Sequence, residues 1–95
     1  MLTIIARATV DTDRVDEIKD AMLDLVDATR REEGCIRYEL HQDNLQPNRF
    51  VFVETWESRE FWRRHMEGDA IDVFNARFLG GIIEFELQEL APLDG

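Results

Sequence analysis

In the run Arg49-Phe50-Val51-Phe52-Val53-Glu54-Thr55-Trp56, Glu54 shares its alternation phase with Phe50, Phe52 and Trp56, so its carboxylate projects into apolar surroundings. A carboxylate placed there must be paired, hydrogen-bonded or protonated. Two readings follow: a general base or substrate anchor with a raised pKa, or a structural ion pair to Arg7 or Arg37 on neighbouring strands. His65 lies on the apolar side of its segment with Phe61, Trp62 and Met66, which suits either a proton-transfer group or a hydrogen-bonded core histidine. Tyr38 falls on an apolar strand phase, so its hydroxyl must reach a buried partner or a ligand. His41, in phase with Arg37 and Glu39, reads as exposed or as an interface residue. Cys35 is the only cysteine and has no histidine near it in sequence, which makes it a small buried hydrophobe rather than a nucleophile. Two histidines and one cysteine, none closely paired, match neither a zinc site nor an iron triad. Gly80-Gly81 precedes a strand rather than a helix and fits no phosphate-binding loop. The expected site is therefore an aromatic-lined pocket with few ionisable groups.

The elements that must position these residues are legible from apolar periodicity. Leu2, Ile4, Ala6, Ala8 and Val10 alternate with polar neighbours and predict a strand over 2–10. Asp11, Thr12 and Asp13 offer caps for a helix whose Val15, Ile18, Met22, Leu25 and Thr29 recur at spacings of three and four, with Arg30 and Arg31 near its last turn and Gly34 as its left-handed end. Residues 35–43 alternate again, with Ile36, Tyr38 and Leu40 on one side, and a turn-rich stretch around Pro47 joins them to 49–56 as a hairpin. Ser58 and Asp69 are expected to cap two short helices, the second carrying Ile71, Phe74 and Phe78, and 82–90 closes as a strand before the tail Ala91–Gly95. The order β-α-β-β-α-α-β is the split βαβ, ferredoxin-like α+β plan, a four-stranded antiparallel sheet with helices on one face. The strand 49–56 is apolar on both faces, with Val51 and Val53 opposite Phe50, Phe52 and Trp56, so its second face needs a cover, and the simplest cover is a second copy of the sheet.

Composition narrows the function classes. The 95 residues carry 11 Lys+Arg against 21 Asp+Glu, a formal net charge of -10, which repels nucleic acid and anionic membrane surfaces. A domain of this size buries only about 60–65% of its unfolded-chain surface, which favours a partner subunit. The start MLTIIARATV has neither the basic residues nor the long apolar run of a signal peptide, and no stretch approaches the roughly 20 apolar residues of a membrane span, so a cytoplasmic location is expected.

Three segments together resemble a known family: Thr29-Arg30-Arg31-Glu32-Glu33-Gly34-Cys35-Ile36-Arg37-Tyr38, then Pro47-Asn48-Arg49 through Trp56-Glu57-Ser58, and His65 after them. They resemble the antibiotic biosynthesis monooxygenase domain, in its branch of small quinol monooxygenase-like proteins, over nearly the whole chain. The resemblance implies a single domain over 1–95, with an ordered core at 2–91 and a short tail, that dimerises into an α+β barrel by sheet-on-sheet packing. It also implies oxidation of an electron-rich aromatic hydroxy compound, quinol or anthrone in type, by O2 without flavin, haem or metal. Carried over by position, Trp56 and His65 line the pocket, with Tyr38 and Glu54 as further candidates; His65 and Glu54 are then the catalytic candidates and Tyr38 and Trp56 substrate-binding ones, joined by Trp62 and Phe74, whose packing sets the pocket volume. The haem-degrading branch is similar in fold but needs an asparagine, a tryptophan and a histidine where this chain has Ala6, His65 and Asn75, which sets haem aside. A branch that isomerises a phosphorylated sugar needs a cationic spot, for which Arg7 or Arg37 is the candidate. A non-catalytic small-molecule-binding dimer is the third reading.

Overall fold

The computed structural model describes residues 1–94; Gly95, the end of the expected tail, lies outside the described residues. In chain order the elements are β1 (Leu2–Val10), a 3-10 turn (Thr12–Arg14), α1 (Val15–Thr29), β2 (Cys35–Gln42), β3 (Arg49–Trp56), α2 (Arg59–Met66), α3 (Asp69–Phe78), a second 3-10 turn (Leu79–Gly81) and β4 (Ile82–Leu90). The strands form one sheet in the order β2-β3-β1-β4 with every neighbouring pair antiparallel. This is the ferredoxin-like α+β arrangement that the element order implies.

Alternation decides what the sheet buries. Leu2, Ile4, Ala6, Ala8 and Val10 of β1 and Phe50, Phe52, Glu54 and Trp56 of β3 all face the helices and are buried. Against them α1 lays Ile18, Met22, Leu25, Val26 and Thr29, spaced three and four apart so that one stripe meets the sheet. Ile18 and Met22 are almost wholly excluded from solvent, and each such side chain contributes about 1.5–3 kcal/mol of burial free energy. The middle of β1 is different: Ala6 and Ala8, between Ile4 and Val10, put only methyl groups above the sheet, and the space they leave becomes the cavity described below.

Three local expectations need correction. A β-bulge lies between Cys35 and Arg37, because Cys35 pairs with Trp56 while Arg37 pairs with Thr55. Ile36 is the extra residue; it is 55% exposed and does not share the buried phase of Tyr38. Neither short helix has the expected cap: Ser58 stands at the N-cap of α2 without a side-chain hydrogen bond, and the N-cap of α3 is Gly68, Asp69 being its first residue. Of the acidic candidates before α1, Asp11 caps the 3-10 turn, its carboxylate accepting from the Asp13 N–H at 2.9 Å. Finally, α1 ends at Thr29 with Arg30 as a right-handed C-cap, so its last turn holds no basic residue and Gly34 is not its terminator. Gly34, at φ +83, instead leads the chain into β2; its carbonyl accepts from the Glu57 N–H at 2.9 Å, and a Cβ there would collide with the Phe61 ring.

On the other face of the sheet, Ile5, Val51 and Val53 form a half-buried apolar centre, with Ile5 opposite Val53. Charged and polar residues of the outer strands flank it: Arg37, Glu39 and His41 on β2, and Glu84, Glu86 and Gln88 on β4. Arg7 donates to Gln88 at 2.8 Å.

Candidate functional site

Glu54 occupies the helix-facing side of β3, directly opposite Ile4 on one flank and Tyr38 on the other. It is 4% exposed. Among the described residues no cation pairs with it. Arg7 and Arg37 fall on the opposite strand phase, where Arg7 pairs in register with Val51 and Arg37 with Thr55, so the expected ion pair to either residue does not form. The partner is Trp56, whose indole Nε1 donates to Glu54 Oε1 at 2.9 Å. Burial raises the Glu54 pKa to about 7, and the Trp56 hydrogen bond opposes the rise. At neutral pH a large fraction of Glu54 is thus a neutral carboxylic acid that can donate a hydrogen bond.

Trp56 holds more than the carboxylate. It is wholly buried, and the His65 ring stacks on it with centroids 4.9 Å apart at an interplanar angle of 28°. α2 presents His65 to the sheet because Trp62 and His65, three apart, are its buried residues, while Glu60 and Arg64 pair across its outer face at 2.8 Å. His65 Nδ1 is 2.8 Å from Glu32 Oε1, a residue in the link between α1 and β2. A carboxylate only accepts, so Nδ1 carries the proton and donates it to Glu32, which leaves the Nε2 lone pair free in the neutral ring. Burial pushes the His65 pKa down and outweighs the upward pull of Glu32. The Tyr38 ring meets His65 edge-on at 5.3 Å and lies tilted against Phe52 at 5.4 Å. Its phenol is driven upward in pKa by burial and then by the Glu54 carboxylate, against the Thr29 hydroxyl, so it too is a neutral donor.

These groups line one cavity. About 260 Å³ in volume, it lies between the sheet and the helices, with Ala6, Ala8 and Phe52 on its floor and Met22, Leu25, Ile71 and Phe74 among the helical residues around it. Tyr38, Glu54, His65 and Asn75 are its polar members, and the exposed Phe85 and Leu87 of the edge strand β4 line one side. Of the residues singled out from the sequence, Tyr38, Glu54, His65 and Phe74 are on this wall. Trp56 stands behind it as the support of Glu54 and His65, and Trp62 does not line it; the Trp62 indole Nε1 is buried without an acceptor among the described residues. Cys35 is half-buried, with a thiol pKa raised first by burial and next by the Glu32 charge, so it is not an activated nucleophile. His41 is exposed and bonded to Glu39 at 3.2 Å on the far face. Glu32 is the residue that sequence reasoning missed. It is 33 positions from His65, and no periodicity links a loop carboxylate to a helix histidine. Among the described residues no group of three or more His, Cys, Asp or Glu side chains is arranged to hold a metal ion, and no helix is long and apolar enough to cross a membrane.

The fold and the cavity define a small α+β domain with a mainly apolar pocket between sheet and helices that carries Tyr38, Glu54 and His65. Residues 1–77 match the profile of the antibiotic biosynthesis monooxygenase family, and the chain belongs to that family. A Nitrosomonas europaea protein provisionally described as an antibiotic biosynthesis monooxygenase superposes with a TM-score of 0.93 over 98% of this chain and 99% of its own, at 24% identity, a likeness of fold. A Pseudomonas aeruginosa structure aligns with a TM-score of 0.91 at 26% identity, covering 97% of this chain and 93% of that one. A curated Synechocystis protein described as uncharacterized is 26% identical over 66 residues, 70% of this chain and 45% of the relative, so the match spans less than half of that relative's length.

Proposed function

We propose that this protein is a cytoplasmic, cofactor-independent monooxygenase that oxidises an electron-rich aromatic hydroxy compound, quinol or anthrone in type, with O2 as co-substrate. The observation that carries it is the gathering of an unprotonated His65 Nε2, backed by Glu32, and two neutral donors, Glu54 and Tyr38, in one apolar cavity. His65 takes a proton from the substrate, and the resulting imidazolium is held by the Glu32 carboxylate. Glu54 and Tyr38 donate hydrogen bonds to the substrate oxyanion, a pairing of protonated carboxyl and phenol known to stabilise such anions. The anion, electron-rich and shielded from water, gives one electron to O2; the radical pair joins as a hydroperoxide, protonated by His65, which then loses water. The substrate loses two hydrogens and gains one oxygen, the second oxygen leaves as water, and no external reductant is consumed.

The phosphosugar isomerase reading lacks its anion site, since Arg7 and Arg37, the cations considered for it, both lie on the opposite face of the sheet. For the sheet-on-sheet homodimer, which we propose as the working assembly, support comes from the apolar centre Ile5, Val51 and Val53 within a charged rim, the layout of a stable interface. An oxygen electrode in metal-free buffer, with menadiol-type quinols and anthrones, tests the chemistry. The expected result is one O2 consumed per substrate, with one labelled oxygen in the product and one in water. No uptake above the blank, or hydrogen peroxide as the reduced product, would refute it. A monomer at micromolar concentration in sedimentation would refute the dimer.

A further inference from the structure

Two hollows share two side chains, one on α1 and one on α3. Beside the inner cavity of about 260 Å³, a wider groove of about 580 Å³ runs between α1 and α3. Leu25 and Phe74 belong to the walls of both. The reason is helical spacing. On α3 the groove is lined by Ala70, Val73 and Arg77 and the cavity by Ile71 and Asn75, and Phe74 falls on the boundary, four residues from Ala70 and three from Ile71. Its neighbour Phe78 is fixed, with the Arg14 and Arg77 guanidinium groups 5.7 and 5.1 Å from its ring centroid, while Phe74 is half-buried and meets Phe78 at 5.6 Å.

We propose that Phe74 is a specificity-determining partition: its ring bounds the cavity on the α3 side so that two fused rings are favoured over three, and removing it joins the cavity to the α1–α3 groove so that a third ring is accommodated. The size preference follows from volume. A dry apolar cavity of about 150 Å³ holds one benzene ring, so, scaling by carbon count, two fused rings need about 250 Å³ and three about 350 Å³. A volume of about 260 Å³ meets the first requirement and not the second, so with Phe74 in place a third ring is left toward the exposed Phe85 and Leu87 side and gains less burial. The inference rests on the proposed function and deepens it by ranking two-ring quinols above three-ring anthrones, but it concerns binding and does not require turnover.

The test is calorimetric titration of the wild type, Phe74→Ala and the milder Phe74→Leu with 1-naphthol, a two-ring probe, and 9-phenanthrol, a three-ring probe. The wild type is expected to prefer 1-naphthol by about tenfold or more, and Phe74→Ala to gain at least about tenfold for 9-phenanthrol without a matching gain for 1-naphthol. Equal wild-type affinity for both probes, or a folded Phe74→Ala with unchanged preference, overturns the partition. If Phe74→Ala does not fold, Phe74→Leu decides the question by the same change of preference in the same direction. Running the oxygen electrode in parallel separates the two readings: a change in size preference with no O2 uptake from any quinol or anthrone retains the partition and removes the monooxygenase, and O2 uptake with unaltered size preference does the reverse.

Discussion

Replacing Glu54 with glutamine is expected to stabilise the protein above neutral pH and to leave the acid side nearly unaffected. The carboxyl is shifted by burial from 4.5 to about 7, so the folded state holds its proton more tightly than the unfolded chain does. Between those two pH values the folded protein binds more protons, and the linkage relation then makes stability fall as pH rises. At about 1.4 kcal/mol per pH unit of displacement, the full penalty for ionising Glu54 is about 3 kcal/mol, complete above the folded-state pKa and absent below the unfolded one. His65 contributes with the opposite sign: its lowered pKa means stability is lost as pH falls below the ordinary histidine range. That contribution is common to both proteins and cancels in the difference. Glutamine keeps an oxygen to accept from Trp56 Nε1 and carries no charge at any pH. Urea unfolding of both proteins at equal concentration, at several values from about pH 4 to pH 8, measures the difference, which should grow by about 3 kcal/mol across the series in favour of the variant. Stability curves that run parallel for the two proteins would show that Glu54 is not forced to bury a charge, and the donor role assigned to it would fall with that result.

Three further outcomes are expected. His65→Ala should lower turnover of an accepted quinol by about 10²–10⁴-fold, and Glu32→Gln by less, with both variants retaining ligand binding by calorimetry. Unchanged turnover in His65→Ala would remove the base. Ala6→Leu should fill the floor of the cavity and abolish binding of 1-naphthol while circular dichroism and the unfolding midpoint stay close to wild type, since the added methylenes enter existing space. Gly34→Ala combines a left-handed backbone with a collision against Phe61 and should cost about 1–3 kcal/mol of stability in chemical unfolding.

What the sequence determined by itself follows from repeating local patterns. The period-two runs place all four strands, put Glu54 among Phe50, Phe52 and Trp56, and assign Arg7 and Arg37 to the other phase, away from Glu54. The spacing of three and four placed His65 on the inner face of α2 and Phe74 on the inner face of α3. What only the tertiary structure decided involves events that no single period encodes. One inserted residue at Ile36 turned that side chain out to solvent and kept Tyr38 beside Glu54. The contact of His65 with Glu32 depends on a loop and a helix meeting across 33 positions, and the stacking of His65 on Trp56 depends on the angle at which α2 lies on the sheet. The cavity exists because two alanines on β1 stand below helices held away by larger neighbours. Side-chain identities and periods fix which face each group takes; the space between faces, and so the chemistry that space allows, is set by how the layers pack.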